Sequence, residues 1–226
     1  MATTDHEAAV EADEERFVSI SRIIPGVYLG NIIASHHIPA LQSHDIGAIV
    51  SLLEERHPRW ATARFQAQIP SSDNGNLSSE ENEKENRHLF IPAFDSDTQD
   101  LLVHLQTVCE FIDAQIAAGR NVLVHCIAGV SRSPTVVTAY LMRKWSKGAD
   151  KTLAYVAGKR REVRPSENFV AQLRVWEQVG WNIWREEEVS GDGARRPKKA
   201  YREFLKRGAA VGKPEVRGSG KRKAIR

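Results

Sequence analysis

The segment His125-Cys126-Ile127-Ala128-Gly129-Val130-Ser131-Arg132-Ser133 constrains the fold of this chain more than any other, because it joins a strand pattern directly to a helix pattern. Before it, Asn121-Val122-Leu123-Val124 is short, apolar and β-branched, which reads as a buried strand. After it, Pro134 to Met142 suits a helix with proline in its first turn. At such a turn successive backbone N–H groups converge on one point, and the positive end of the helix dipole faces the same point. Gly129 lets the backbone approach without a Cβ in the way. Arg132 adds a planar fork that matches two oxygens of a phosphate, a geometry lysine does not reproduce. An anion site is implied before any chemistry.

The same field acts on Cys126. A thiol near a helix N-terminus and an arginine has its pKa lowered from about 8.5 into the range of roughly 3.5 to 7.5. It is then a thiolate nucleophile at neutral pH, suited to attack a phosphate monoester. Ser133 is placed to donate a hydrogen bond to the sulfur and to make it a better leaving group when a phosphocysteine breaks down. His125 is expected to orient the loop, since a thiolate already formed needs no base. The expected phosphate contacts are His125, Ile127, Ala128, Gly129, Val130, Ser131 and Arg132.

The run HCIAGVSRS resembles the HCxxGxxRS signature of the cysteine-dependent protein phosphatases of the protein tyrosine phosphatase superfamily, in their small dual-specificity branch. Ile24-Pro25-Gly26-Val27-Tyr28-Leu29-Gly30 resembles the opening strand segment of that branch. PSENFVAQL, Pro165 to Leu173, resembles its closing PNxxFxxQL segment, with Ser166 where the family has asparagine. The resemblance implies an α/β fold with a central, mostly parallel sheet flanked by helices and a phosphate-binding loop between a central strand and a helix. It also implies a cofactor-independent, metal-free phosphatase acting on phosphotyrosine and on phosphoserine or phosphothreonine through a phosphocysteine. A general acid is expected on a loop after a strand and before a helix. Asp95 follows the strand-like Leu89-Phe90-Ile91-Pro92, and the family's DxxxxD(I/L) pattern is met by Asp95, Asp100 and Leu101. Asp97 is the alternative acid, and Asp97 or Thr98 also suits the N-cap of the following helix.

The rest of the domain reads coherently. Gly47 to Leu53 is a second buried strand, and Leu101 to Ala118 is a helix whose stripe of Leu101, Leu102, Leu105, Val108, Cys109, Ile112 and Ile116 places Cys109 in the core. Gly119-Arg120 ends that helix, and two further helices are expected near Asp150 to Arg161 and Ser166 to Glu177. Alternating strands and helices imply an α/β sandwich with its ligand site at the C-terminal end of a central strand. His36, His37 and His44 have no metal-ligand spacing, so no metal is assigned.

Residues 17–185 are therefore read as one catalytic domain, with no regulatory domain before it. Residues 1–16 form an acidic tail carrying Asp5, Glu7, Glu11, Asp13, Glu14 and Glu15, which is not a signal peptide. Residues 71–87 are a polar loop insertion. The chain's net charge of +3 conceals an asymmetry: residues 195–226 carry 13 Lys or Arg against Glu203 and Glu215, a balance of +11, which leaves −8 for residues 1–194. The tail 186–226 is expected to be disordered or transiently helical, and to be either solvated, a nuclear import signal, or a contact for an acidic partner or nucleic acid. No apolar run approaches the ~18–20 residues of a membrane span. Two cysteines and a thiolate mechanism argue for an intracellular reducing compartment, cytoplasm or nucleus.

Three readings of function remain. Apolar Ile127, Ala128 and Val130 favour a phosphoprotein substrate over inositol lipids, whose phosphatases place lysines at these positions. Trp60 and the charged run Glu54-Glu55-Arg56-His57 either border that substrate's cleft or, for Trp60, pack on the domain. The alternatives are a non-catalytic module that captures phosphoproteins and an RNA 5′-phosphatase on the same fold, the latter supported by the basic tail alone.

Overall fold

A computed structural model describes residues 15–70, 87–189 and 195–211. Five strands form the main sheet: β1 (Ile20–Ile24), β2 (Val27–Gly30), β3 (Ile46–Leu53), β4 (His88–Pro92) and β5 (Asn121–His125), in the order β1-β2-β5-β3-β4. β1 and β2 pair antiparallel, while β2, β5, β3 and β4 are parallel. The sheet is thus mostly parallel, and the strand feeding the cysteine lies at its centre. The segment from Ile24 to Gly30 is the hinge and second strand of a hairpin, turned at Gly26 with φ +81°.

The helices are α1 (Ile38–Ser43), α2 (Ala63–Gln66), α3 (Leu102–Ala117), α4 (Arg132–Trp145), α5 (Ala149–Lys159), α6 (Glu167–Gln178) and α7 (Lys199–Val211), with a 3-10 turn at Pro58–Ala61. Strand alternation sends Val122 and Val124 to one face of the sheet and Leu123 to the other. The first face carries the larger core, built with Leu102, Leu105, Val108, Cys109 and Ile112 of α3, Val136, Tyr140 and Leu141 of α4, and Phe169, Leu173 and Trp176 of α6. The second carries Leu41, Ile46, Ile49, Trp60 and Phe65. Both faces are covered, as a parallel sheet requires, and all eight residues of β3 are accordingly buried. Every residue of α4 from Arg132 to Met142 is buried, so the helix behind the cysteine is the central strut of the larger layer.

Two expectations need correction. Neither Asp97 nor Thr98 caps α3; its N-cap position is Leu101, without a side-chain cap bond, and Asp100 Oδ1 just before it accepts from the N–H of Leu102 at 2.8 Å. The reading of residues 186–226 as an unfolded tail fails for its described part. β6 (Trp184–Val189) and β7 (Arg195–Pro197) form a hairpin, and α7 packs on α6 with Ala200, Tyr201 and Phe204 against the larger core. The physical reason is spacing: these apolar residues share one stripe of a helix, and Tyr201 is only 3% exposed. The segment's high charge outweighed that stripe when composition alone was considered. The expectations for residues 1–14, 71–86, 190–194 and 212–226 lie outside the described residues. Among the described residues, no helix is long and apolar enough to cross a membrane.

Candidate active site

β5 ends at His125, and α4 begins at Arg132. Between them the carbonyls of the loop are all turned outward and engaged. Cys126 O meets His125 Nδ1 at 3.2 Å, and Ile127 O accepts from the N–H of Ile32 at 3.0 Å. Ala128 O and Gly129 O accept from Arg160 Nη2 and Nε at 3.2 and 3.0 Å, and Val130 O accepts from the N–H of Arg164 at 2.9 Å. Because a trans peptide sets its N–H opposite its C=O, pinning the carbonyls outward turns the following N–H groups inward, toward the bowl that Cys126 floors. Gly129 has φ +69°, and a Cβ there would lie 2.5 Å from Gly30 O. Glycine is therefore required at this position both by the left-handed backbone and by close approach to β2.

Cys126 is 2% exposed. Burial by itself would raise its pKa, but hydrogen bonds from the Ser133 side chain and backbone, the charge of Arg132 and the Gly129 N–H outweigh burial, so the pKa is lowered. The Ser133 hydroxyl donates to Sγ at 3.2 Å. Arg132 is buried, with Nη1 donating to Ala93 O at 2.8 Å. Its Nε lies 4.0 Å from Asp95 Oδ2 and, among the described residues, has no hydrogen-bond partner. A buried guanidinium N–H without a hydrogen bond at the rim of a ring of amides is what an anion-binding site needs.

Of the remaining candidate residues, Ile127 and Ala128 are exposed, Val130 is half-buried, and Ser131 is buried. Ser131 Oγ donates to Asp95 Oδ1 at 2.8 Å, which brings the loop and the candidate acid together. Asp95 keeps 42% of its side chain exposed. Asp97 is exposed and borders a groove of about 680 Å³ between the acid loop, α6 and α7.

His125 is fully buried behind the loop. Since a carbonyl only accepts, Nδ1 carries the proton toward Cys126 O, and Nε2 accepts from Ser51 Oγ at 2.7 Å. Ser51 in turn accepts from His88 Nε2 at 2.8 Å, its single proton being committed to His125. Burial pushes His125 down to about 3, against a smaller opposing effect from its bond to Cys126 O. Burial likewise pushes His88 down to about 4. The neutral imidazole is thus held at both ring nitrogens. Trp60 is 3% exposed and packs its ring edge on His125 at 5.0 Å and on His88 at 4.7 Å. It supports the loop from behind and does not border the cleft. Cys109 sits in the core, where burial drives its thiol up to about 12, so the two cysteines are opposite in reactivity. The described residues hold no group of three or more His, Cys, Asp or Glu fit for a metal.

Sequence reasoning missed five supports. Arg160, at the end of α5, is 3% exposed and ties Ala128 and Gly129 to Ser19 Oγ at 2.8 Å. Ser51 reaches His125 by strand register, β3 against β5. Asn168 Nδ2 donates to Ser96 O and Gln99 O at 3.1 and 2.9 Å, and Gln172 Nε2 donates to Gln99 O at 2.7 Å. Tyr201 reaches Asp100. The first two carry no local signal, but Asn168 and Gln172 lie within PSENFVAQL. Ser166, in the family's asparagine position, caps α6 by accepting from the Phe169 N–H at 3.4 Å.

Comparison with known proteins agrees with this geometry. Residues 27–179 match the family described as dual specificity phosphatase, catalytic domain. The chain is 32% identical over 166 residues to the dual specificity protein phosphatase MPK-4 of Drosophila melanogaster, covering 74% of this chain and 38% of that protein. It is 39% identical over 95 residues to human dual specificity protein phosphatase 12, covering 42% of this chain and 28% of that one. Among solved structures it is similar to DUSP15, with a TM-score of 0.57, 26% identity and coverage of 84% of this chain and 96% of that one. It is equally similar to the human tyrosine phosphatase-like serine/threonine/tyrosine-interacting protein, with a TM-score of 0.55, 26% identity and coverage of 71% and 97%. The chain spans about a third of the length of the curated relatives it matches over most of its own domain. By the extent of the match and the site it contains, the chain belongs to the dual specificity phosphatase catalytic-domain family.

Proposed function

We propose that this protein hydrolyses phosphotyrosine and phosphoserine or phosphothreonine monoesters in proteins by two in-line displacements. The observation that carries the reading is the joining of Cys126, Arg132 and Asp95 through one loop: Ser133 on the sulfur, Arg132 at 4.0 Å from Asp95, and Ser131 bonded to Asp95. In the first step the Cys126 thiolate forms a P–S bond while the ester P–O bond breaks, and Asp95 gives its proton to the departing oxygen. Arg132 and the inward amides of residues 127–131 stabilise the equatorial oxygens, with charge-assisted hydrogen bonds that tighten as charge develops. In the second step water attacks phosphorus, Asp95 takes the water's proton, and the thiolate leaves with Ser133 donating to it. Ile127 and Phe94, exposed at 51% and 54%, give the mouth beside nucleophile and acid an apolar rim. Such a rim supports an amino-acid side chain as the phosphate's carrier rather than a polyphosphorylated inositol.

Thiolate chemistry suits a reducing compartment, cytoplasm or nucleus. The Lys/Arg excess of residues 195–226 supplies charge for an acidic protein or a nucleic acid, and such a contact weakens with salt. The test is hydrolysis of phosphotyrosine, phosphothreonine and bis-phosphorylated peptides, phosphoinositides and 5′-triphosphate RNA by wild type and Cys126→Ser. Peptide turnover that vanishes in the variant supports the reading. Retained phosphopeptide binding with no turnover by wild type makes this a recognition module, and turnover of RNA alone makes it an RNA phosphatase.

A further inference from the structure

The acid loop, residues 93–101, has no regular secondary structure, and Phe94, Asp95, Asp97 and Thr98 are exposed. Its own internal ties are short-range: Phe94 N–H to Gln99 Oε1 at 2.9 Å, Gln99 N–H to Ser96 O at 3.3 Å, Gln99 Nε2 to Asp100 O at 2.9 Å, and Ser96 and Thr98 hydroxyls at 3.5 Å. What holds it comes from elsewhere. Asn168 and Gln172 of α6 take the carbonyls of Ser96 and Gln99, and Gln172 Oε1 accepts from the Leu101 N–H at 2.7 Å. The end of the loop is fixed through Asp100, whose two oxygens are used in different directions. Oδ1 accepts from the Leu102 N–H at the start of α3, and Oδ2 accepts from the Tyr201 hydroxyl at 2.8 Å.

Tyr201 belongs to α7, which lies beyond the family match ending at residue 179. Its ring is fixed by its neighbours: Trp184 of β6 meets it edge-on at 5.9 Å, and Phe204 stacks at 6.5 Å. The turn into α7 is anchored to the end of α6, where Lys198 donates its N–H to Ile183 O at 2.9 Å and its Nζ to Val179 O at 2.7 Å. The hydroxyl is therefore delivered by a braced element.

We propose that Tyr201 is a positioning residue for the general acid, and that the β6-β7-α7 extension is a strap that holds the acid loop at the rim of the phosphate site through the Tyr201–Asp100 hydrogen bond. The proposal rests on Asp95 being the acid. The carbonyls of the phosphate loop are held by Arg160, Ile32 and Arg164 and not by the strap, so the strap acts mainly on proton donation. Proton donation matters in proportion to the basicity of the leaving oxygen. A dinitrophenolate departs without a proton, whereas a phenolate needs one.

The test uses the full chain, with phenyl phosphate and dinitrophenyl phosphate as substrates and vanadate as a probe of the phosphate loop. Since small misplacement of a reacting group is costly in rate, Tyr201→Phe is expected to slow phenyl phosphate turnover about tenfold while leaving dinitrophenyl phosphate within about twofold. Vanadate inhibition stays unchanged, and adding Tyr201→Phe to Asp100→Ala produces no further loss, as coupled sites require. Equal loss on both substrates makes Tyr201 merely structural and overturns the proposal, as does no loss on either. Asp95→Ala run in parallel separates the two readings. If Asp95→Ala is itself unselective between the substrates, the acid assignment falls and the strap with it. If Asp95→Ala is selective and Tyr201→Phe is not, the strap alone falls.

Discussion

The phosphate loop and the acid loop meet through Ser131 on Asp95 and Arg132 on Ala93 O, yet they are held by different means. In residues 126–132 every carbonyl from Cys126 to Val130 is engaged, the strand behind and the helix ahead are buried, and the nucleophile is 2% exposed. In residues 93–101, Phe94, Asp95, Asp97 and Thr98 are exposed, and the segment is positioned by Ser131, by Arg132 of α4, by Asn168 and Gln172 of α6 and by Tyr201 of α7, between 36 and 101 residues away in sequence. The first is a pre-organised anion receptor. The second, which the proposed mechanism uses as proton donor, is a segment held in place by distant helices. The anion site must exist before substrate arrives, because aligned amides stabilise charge only if they need not reorganise. In the proposed mechanism Asp95 only moves protons as bonds to phosphorus change, so it tolerates an outer position and adjustable supports.

Removing the acid should break the comparison most sharply. Asp95→Ala is expected to lower turnover of phosphopeptides and phenyl phosphate by ~10²–10⁴-fold while leaving vanadate affinity at the phosphate loop intact. Asp97→Ala should stay near wild type in the same steady-state assay. Comparable losses in both variants would mean that the two aspartates share the role. The converse change disturbs the receptor and spares the acid loop. Gly129→Ala meets Gly30 O at 2.5 Å with φ +69°, and the strain of a left-handed side chain costs about 1–3 kcal/mol before the clash is counted. Calorimetry should record a lowered Tm, and vanadate inhibition should weaken, even for a dinitrophenyl ester that needs no acid.

A smaller effect comes from the struts behind the receptor. The folded pKa values of His125, at about 3, and of His88 and His36, both at about 4, lie below the unfolded value near 6.5. For His36, burial leads, with His57, Arg59 and His37 adding in the same direction. Between these values the unfolded chain binds more protons than the folded one, so stability rises with pH there. The stabilisation is full above about pH 6.5 and is lost as pH falls toward 4. Thermal melts across that range should show Tm falling by several degrees. His125→Gln, less stable at pH 7, should show a shallower slope. An unchanged slope would remove His125 as a buried neutral strut.

The segment Ile24 to Gly30 was legible through the resemblance alone, and β3, the strand and helix around Cys126 and the α3 stripe through short-range patterns: apolar runs, helical spacing, a glycine and a proline at the right offsets. The nucleophile, its arginine and Ser133 were legible for the same reason, since a strand-loop-helix unit of nine residues carries its own electrostatics. Arg160, Ser51 and His88 left no such trace. Nothing near Arg160 in sequence indicates that its guanidinium will be buried against the carbonyls of residues 128 and 129, and Ser51 meets His125 only because β3 lies beside β5. The basic C-terminal segment misled in the opposite direction, its charge count concealing the stripe of Ala200, Tyr201 and Phe204.

What the sequence by itself determined about this protein is the strand-loop-helix unit that carries the candidate anion site, because its physics is local: backbone dipoles, one glycine and one arginine within a few residues. What only the tertiary structure decided is how that site is braced and where its proton donor stands, because hydrogen bonds such as Tyr201 to Asp100 join groups 101 residues apart and exist only once the layers have packed.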